Sequence, residues 1–168
     1  NTIEYRNSPI FIDSRNKKLG ARILSTLEKL HLTIKKLKLK IVKPDIYYEE
    51  AHYLGIPIKG IENLREKLFG LEANFEEQQA IDFKKGCFIG QENTARMRLK
   101  NKLKRRLYAI KTPKKLNIGD ELILDKIIIG KILIDEPFTF ALMKLFEKKF
   151  KNKEISCSDT KIKIIDNF

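Results

Sequence analysis

The chain has 168 residues, 42% hydrophobic and 34% charged, with a formal net charge of +13. These values indicate a globular, soluble protein with one domain or two small ones. No apolar run approaches the roughly 18 residues that span a bilayer, which excludes a transmembrane helix and a membrane partner. Only two cysteines are present, which excludes a disulfide framework and predicts a reducing, cytoplasmic compartment. No second Cys or His lies at metal-ligand spacing, which excludes a metal site.

The first half of the chain is predicted to mix short strands and helices. Residues 9–14 are predicted to form a strand, and residues 17–30 carry leucine and isoleucine at helical spacing. Apolar residues alternate with lysines over residues 36–41, which predicts a half-exposed strand. A helix follows over residues 45–54, with Asp45 as N-cap and Gly55 as terminator. Residues 61–68 are predicted to add a short helical piece.

The most distinctive segment is Lys84-Lys85-Gly86-Cys87-Phe88-Ile89-Gly90-Gln91-Glu92. It places a cysteine between two glycines, which tolerate unusual backbone angles and let a ligand approach closely. Positive charge beside a cysteine is typical of reactive thiols. The alternative is that Cys87 is a small buried apolar residue beside a tight turn. Gly90 is predicted to open a helix over residues 91–98.

The last third of the chain reads as strands and turns. Strands are predicted over residues 107–111, 121–124, 127–134, 139–146 and 161–165. Turns are predicted at Gly119-Asp120 and Asp125-Lys126. Five such strands predict a small antiparallel barrel, with a domain boundary near Arg106 that divides the chain into residues 1–105 and 106–168. A helix over residues 140–149 is the alternative for the fourth strand. Cys157 is interpreted as incidental.

The segment from Lys85 to Glu92, with Ala95-Arg96, resembles the K-G-C-[YF]-x-G-Q-E-x-x-A-R signature of the YgfZ-type folate-binding proteins, relatives of the glycine-cleavage T-protein. Further pieces match in order: Ile12-Asp13-Ser14-Arg15, Leu54-Gly55-Ile56-Pro57, Leu71-Glu72-Ala73-Asn74, Ile81-Asp82-Phe83 and Arg105-Arg106-Leu107. The resemblance implies an α+β fold, in which the C-terminal part of a T-protein-like folate-binding domain precedes a small antiparallel β-barrel. It also implies that the chain is the C-terminal portion of a longer protein.

The same resemblance implies a function. It indicates an accessory protein that binds tetrahydrofolate and supports iron–sulfur cluster assembly or repair in client enzymes, including enzymes that modify tRNA. Cys87 is the implied catalytic residue. A cluster normally takes four thiolates, so contact between Cys87 and a cluster is expected to be transient or shared with a partner protein. The implied folate-binding residues are Glu72, Asn74, Lys85, Gly86, Phe88, Gly90, Gln91, Glu92, Arg96, Arg105 and Arg106, with Phe75 as a wall for the ring.

Plainer interpretations of these residues stay open. Glu72 is also consistent with capping a surface loop, and Glu92 with offsetting the dipole at the start of a helix. Gln91 and Arg96 are consistent with helix surface. Two other functions also remain open: a tetrahydrofolate-dependent aminomethyltransferase, against which the cysteine motif counts, and a basic RNA-binding module.

A run of basic residues follows the signature without an intervening acid. It consists of Arg96, Arg98, Lys100, Lys102, Lys104, Arg105 and Arg106. Mutual repulsion makes such a run costly unless an anion is nearby, so it predicts a site for a polyanion. The polyglutamate tail of a folate is the first candidate and an RNA backbone the second. Because lysine is spread along the whole chain, a solvated lysine surface is the alternative.

Overall fold

The computed structural model describes residues 2–100, 103–145 and 154–165. The chain begins with a three-stranded antiparallel sheet formed by β1 (Thr2–Glu4), β2 (Pro9–Ile12) and β3 (Ala21–Ile23). A 3-10 helix at Lys17–Leu19 lies between β2 and β3. Helix α1 spans Leu27–Lys36 and helix α2 spans Pro44–Tyr53. The predicted strand at residues 9–14 is therefore confirmed over its first four residues.

Two N-terminal predictions are wrong. The predicted helix at residues 17–30 is interrupted by Gly20, whose φ is +78°, and the chain turns there into β3. The helix begins instead at Leu27, because Thr26 caps it: the Thr26 hydroxyl accepts a hydrogen bond from the Lys29 amide. The predicted strand at residues 36–41 is absent, since α1 runs to Lys36 and Lys38 then adopts a φ of +52°.

Helix α2 matches its predicted span with a different start. Pro44 occupies the first helical turn, where its missing N–H costs nothing. Lys43, rather than the predicted Asp45, is the N-cap, and Asp45 lies in the first turn. Gly55 follows with a φ of +80° and ends the helix as predicted. A 3-10 helix at Ile61–Leu64 confirms part of the predicted helical piece.

The last part of the signature lies in helix α3 at Glu92–Leu99, which starts one residue later than predicted and has Gln91 as N-cap. The barrel then begins. Its strands are β4 (Arg105–Lys111), β5 (Glu121–Leu124), β6 (Ile127–Ile134), β7 (Thr139–Lys144), β8 (Ile155–Cys157) and β9 (Thr160–Ile165). They form a closed antiparallel barrel in the order β4-β7-β6-β5-β8-β9. The predicted small barrel is confirmed.

Strand β8 of the barrel was not predicted from the sequence. Strand β8 is only three residues long and contains Cys157, which is fully buried. The predicted turn at Asp125-Lys126 joins β5 and β6, and both residues have positive φ, as a two-residue hairpin requires. Strand β7 excludes the alternative helix as far as Lys144; the remainder of that prediction, residues 146–149, lies outside the described residues.

Both faces of the barrel wall are buried along β4. Tyr108 and Ile110 belong to the core inside the barrel, together with Leu122, Ile132 and Met143. Leu107 and Ala109 belong to a second cluster, against which Leu64 and Leu68 pack from the preceding part of the chain. This second cluster places the segment that carries Leu64 and Leu68 on the outer wall of the barrel. The fold is therefore α+β, with the segment before the signature packed on a closed barrel.

Candidate functional site

The signature forms a defined turn. The amide of Gln91 donates to the carbonyl of Phe88 at 3.0 Å, and the amide of Gly90 donates to a carboxylate oxygen of Glu92 at 2.9 Å. Gly90 has a φ of +90°, which only glycine adopts without strain. Gly86 has no positive φ, and a Cβ placed there would meet nothing within 4 Å. The geometry therefore requires glycine at Gly90 but not at Gly86.

Cys87 is exposed on this turn, as the functional interpretation predicts. It borders a cavity of about 370 Å³ whose walls include two phenylalanine rings, Phe75 and Phe83. The Lys85 ammonium donates to the side-chain oxygen of Gln91 at 3.2 Å and lies 4.8 Å from the centre of the Phe88 ring. The remaining lining residues are Gly70, Ala80, Ile81, Asp82, Gly86, Thr94 and Ala95.

Asp82 is a cavity residue that the sequence reading did not assign to the site. Its side chain accepts a hydrogen bond from the Lys84 amide at 2.8 Å, and it adds a carboxylate to the wall that carries Cys87. The available signal was its position in Ile81-Asp82-Phe83, one of the pieces of the family resemblance.

Cys87 also borders a second, more open cavity of about 280 Å³. Glu92, Arg96 and Lys100 line this cavity along one side of α3. The thiol therefore lies between a pocket with aromatic walls and a groove that carries two exposed cations. The structure brings seven of the predicted site residues together around Cys87: Lys85, Gly86, Phe88, Gly90, Gln91, Glu92 and Arg96.

Glu72, Asn74, Arg105 and Arg106 form a separate group at the barrel. Glu72 is 4% exposed, and its two carboxylate oxygens accept bonds from the Arg105 guanidinium at 2.9 and 3.3 Å. One of these oxygens also accepts from the Phe69 amide at 3.0 Å, so Glu72 caps a turn, and it does so with a buried carboxylate rather than from the surface. Asn74 is fully buried, has a φ of +64° and donates to the carbonyl of Leu107 at 2.8 Å.

Part of the basic run has carboxylate partners within the chain. Besides the Arg105–Glu72 pair, Arg106 lies 2.5 Å from Glu77 and Arg98 lies 2.7 Å from Glu76. The repulsion on which the anion-site prediction rested is therefore reduced at three of its seven members. Among the described residues, no carboxylate is paired with Arg96 or Lys100; Lys102 lies outside them.

A histidine connects α2 to the barrel. His52 is fully buried, and its Nε2 accepts hydrogen bonds from the amides of Ile58 and Lys59 at 3.0 and 3.1 Å. Its Nδ1 lies 3.2 Å from the carbonyl of Phe138, so the ring is neutral with its proton on Nδ1. Burial lowers the pKa of His52 below its ordinary value of 6.5, and the charge of Lys59 lowers it further.

Besides the Glu72–Arg105 pair, a second buried carboxylate with arginine partners lies in the N-terminal sheet. Asp13 is 3% exposed, and hydrogen bonds from Arg15 hold its pKa well below the usual range, with a further contribution from Arg22. Both guanidinium groups also reach the Tyr47 hydroxyl, at 3.0 and 2.6 Å. This group joins the sheet to α2 and belongs to the Ile12–Arg15 piece of the resemblance.

Within the described ranges, no cluster of three or more His, Cys, Asp or Glu side chains has the geometry of a metal site. No helix in the same ranges has the length and apolar character needed to cross a membrane.

No protein-family model matches the chain. Four curated relatives share the name iron–sulfur cluster assembly factor IBA57 homolog, mitochondrial. The relative from Pyricularia oryzae is 35% identical over 96 residues, which cover 56% of this chain and 24% of the relative. The relative from Dictyostelium discoideum is 26% identical over 129 residues, which cover 73% of this chain and 31% of the relative.

These homologues agree with the YgfZ-type resemblance at modest identity over part of the chain. The matched segments span about a quarter to a third of the length of the two relatives. The name of the relatives places those proteins in mitochondria, and the cytoplasmic compartment inferred from cysteine content stays a prediction for this chain.

Proposed function

We propose that this chain supports iron–sulfur cluster assembly and that the exposed thiol of Cys87 is its functional group. The observation that carries the proposal is the position of this thiol, on a preformed turn between two cavities in the segment that resembles the YgfZ signature. The names of the homologues support the same role. A single exposed thiol suits brief contact with a cluster held mainly by a partner, because stable clusters take four ligands.

The test is complementation in cells that lack their own assembly factor of this type. The gene product that carries this chain is expressed as wild type, Cys87→Ala and Cys87→Ser, and the activity of an iron–sulfur enzyme is measured. Both variants are expected to fail, since serine retains size and polarity but not thiol chemistry. Cys157→Ala is the matched control, because it removes a thiol that is buried in the barrel core. Full complementation by Cys87→Ala would overturn the proposal.

Tetrahydrofolate is the proposed ligand of the cavity beside Cys87. A volume of about 370 Å³ is within the range of small-molecule sites, although near its lower end. Phe75 and Phe83 supply apolar walls for a flat ring, and Asp82 supplies a carboxylate acceptor for ring amino groups. Asp82 is more available for this role than Glu72, whose two oxygens are occupied by Arg105 and a backbone amide.

Thermal unfolding with and without tetrahydrofolate tests this part of the proposal. A ligand that binds only the folded state raises the melting temperature by an amount that increases with the ratio of ligand concentration to Kd. Asp82→Asn keeps an acceptor for the Lys84 amide but removes the charge, so it is expected to reduce the shift. A shift that Asp82→Asn leaves unchanged would remove Asp82 from the site. Absence of any shift in the wild type would remove folate.

The proposed place for a polyglutamate tail is the groove with Arg96 and Lys100, whose charges have no paired carboxylate among the described residues. Arg105 and Arg106 are less available because each faces a glutamate. Arg96→Ala is therefore expected to weaken polyglutamate folate more than monoglutamate folate. Equal weakening of both forms would remove the tail-binding role.

Two further functions are distinguished by the same measurements. An aminomethyltransferase would also bind tetrahydrofolate, but Cys87→Ala would leave its turnover intact. An RNA-binding module would show affinity that falls steeply with salt and no response to folate. The client enzymes proposed from the family resemblance include those that thiolate tRNA, and their activity in the complementation strain is the corresponding readout. Part of a T-protein-like folate-binding domain is the fold proposed for the residues before the barrel.

A further inference from the structure

Within the described part of the chain, few contacts hold the signature segment to its surroundings. Helix α3 contains no buried residue, and its Leu99 side chain is 83% exposed. Phe88 and Ile89, on the turn before the helix, are 69% and 100% exposed. The position of Cys87 is therefore not fixed by packing of an apolar face. The polar contacts of the segment contribute more to its position than polar contacts do elsewhere in the fold.

Arg98 makes the most extensive of these contacts. Its Nε and one Nη each lie 2.7 Å from the same carboxylate oxygen of Glu76. Its guanidinium carbon also lies 4.3 Å from the centre of the Phe83 ring, a cation–π distance. Phe83 lines the cavity that Cys87 borders. One side chain on α3 therefore touches both the segment before the signature and the wall of the cavity.

The other side of this contact is fixed on the barrel. Glu76 follows closely after Glu72 and Asn74, which are tied to β4 through the backbone of Leu107. The carbonyl of Glu72 accepts from the Leu107 amide at 2.8 Å, and Asn74 donates to the Leu107 carbonyl at 2.8 Å. A continuous path therefore runs from the barrel wall through Glu76 and Arg98 to α3.

We propose that Arg98 is a positioning residue that holds the Cys87 turn over the cavity through an ionic clasp with Glu76 and Phe83. This inference rests on the proposed function only in taking Cys87 as the functional thiol. The side chains of Arg98 and Glu76 are 47% and 38% exposed, and ion pairs at such exposure contribute little to global stability. The clasp therefore acts on the position and mobility of the turn, and it weakens as salt screens the pair.

A spin label on Cys87 in the otherwise native protein tests this proposal. Cys157 is buried, so the label attaches at the signature. Arg98→Ala is expected to shift the spectrum toward the narrow lines of a mobile label. Asn93→Ala is the control: it shortens an exposed, uncharged side chain of the same helix, at a position that lines neither of the two cavities beside Cys87. Its spectrum is expected to remain that of the wild type.

Two further measurements separate a clasp from general loosening. Raising the salt from about 0.1 M to about 1 M shortens the screening length from about 10 Å to about 3 Å; it is expected to mobilise the label in the wild type and to change the Arg98→Ala spectrum little. The charge exchange of Glu76→Arg with Arg98→Glu is expected to restore much of the order that either single change removes. Equal spectra for Arg98→Ala and Asn93→Ala, or no rescue by the exchange, would overturn the proposal.

The complementation assay keeps the two proposals distinguishable. Arg98→Ala is expected to lower iron–sulfur enzyme activity partially, with Arg98→Lys intermediate because an ammonium keeps the charge but loses the planar contact with Phe83. Full complementation by Cys87→Ala with an immobilised label in the wild type would overturn the proposed function and leave the clasp. Loss of activity in Cys87→Ala with a label insensitive to Arg98→Ala would do the reverse.

Discussion

Replacement of His52 by leucine removes the imidazole that joins α2 to the barrel. Leucine is of similar size and is compatible with a helix, but it cannot form hydrogen bonds. In the wild type, Nε2 accepts two backbone hydrogen bonds and Nδ1 donates one. Leucine leaves the amides of Ile58 and Lys59 without that acceptor and the Phe138 carbonyl without its donor. Loss of a partner costs about 1–3 kcal/mol for each buried group.

The expected loss is smaller than the simple sum of three such groups. Lys59 is exposed and Ile58 is partly exposed, so water replaces part of the lost bonding. The apolar leucine also recovers some packing against Phe140, whose ring meets the imidazole edge-on. We therefore expect His52→Leu to lower the free energy of unfolding at pH 8 by about 2–4 kcal/mol.

The pH dependence gives a sharper test than the magnitude at one pH. Because the pKa of His52 is lower in the folded state than its ordinary value of 6.5, the unfolded chain takes up the proton first on acidification. The contribution of His52 is therefore fully present above about pH 6.5, and it is lost as the pH falls from there through the folded pKa. The slope of this loss approaches about 1.4 kcal/mol per pH unit.

Urea unfolding of wild type and His52→Leu at several pH values between about 8 and 5 measures the effect. The other titrating groups are common to both proteins, so the difference between the two curves isolates His52. That difference is expected to shrink as the pH falls. If the two proteins lose stability in parallel, His52 does not titrate between the folded and unfolded states in this range, and the assignment of its hydrogen bonds is refuted.

Three further outcomes are expected from the described contacts. A thiol-reactive probe should label Cys87 in the native protein and Cys157 only after unfolding, since burial also raises the pKa of Cys157; an unreactive Cys87 would favour the buried-residue alternative. In thermal unfolding, Gly90→Ala should destabilise the fold by about 1 kcal/mol and Gly86→Ala should leave stability unchanged. If Gly86→Ala folds stably and still fails to complement, a ligand or partner contacts the backbone at Gly86. Gly130→Ala should cost about 1–3 kcal/mol in urea unfolding, because its Cβ would overlap the β7 backbone, and an unchanged midpoint would contradict this packing.

The barrel was the most predictable part of the fold because its signals are local. A leucine-rich segment precedes Asp125-Lys126 and an isoleucine-rich segment follows it, and a two-residue hairpin turn pairs the two as neighbouring strands. Strand β8 was missed because three residues carry too little periodicity, and its pairing with β5 and β9 is what makes it a strand. At the N-terminus the leucine spacing over residues 17–30 indicated a helix, and a single glycine with positive φ overrode it.

The site was predictable in its centre and not in its surroundings. The sequence signature indicated an exposed Cys87 beside a turn that needs glycine, and the structure confirms both at Cys87 and Gly90. The ion pairs of Arg98 and Arg105 were not predictable, because their glutamates lie 22 and 33 positions earlier in the chain. Charge counted along a sequence does not reveal carboxylates that the fold brings alongside. The predicted domain boundary near Arg106 stays a prediction.

The contacts of Leu107 determine what a barrel separated from the rest of the chain would lack. Cutting at residue 106 would leave the Leu107 amide without its acceptor, the Glu72 carbonyl. It would also leave the Leu107 carbonyl without its donor, the Asn74 side chain. It would also expose the outer apolar cluster that Leu64 and Leu68 cover. Such a fragment would expose apolar side chains and unpaired backbone groups on the outer face of the barrel, and it would be prone to aggregation. A cut placed ahead of residue 61 keeps these two hydrogen bonds and this apolar cover, so the covering segment has to be retained together with the barrel.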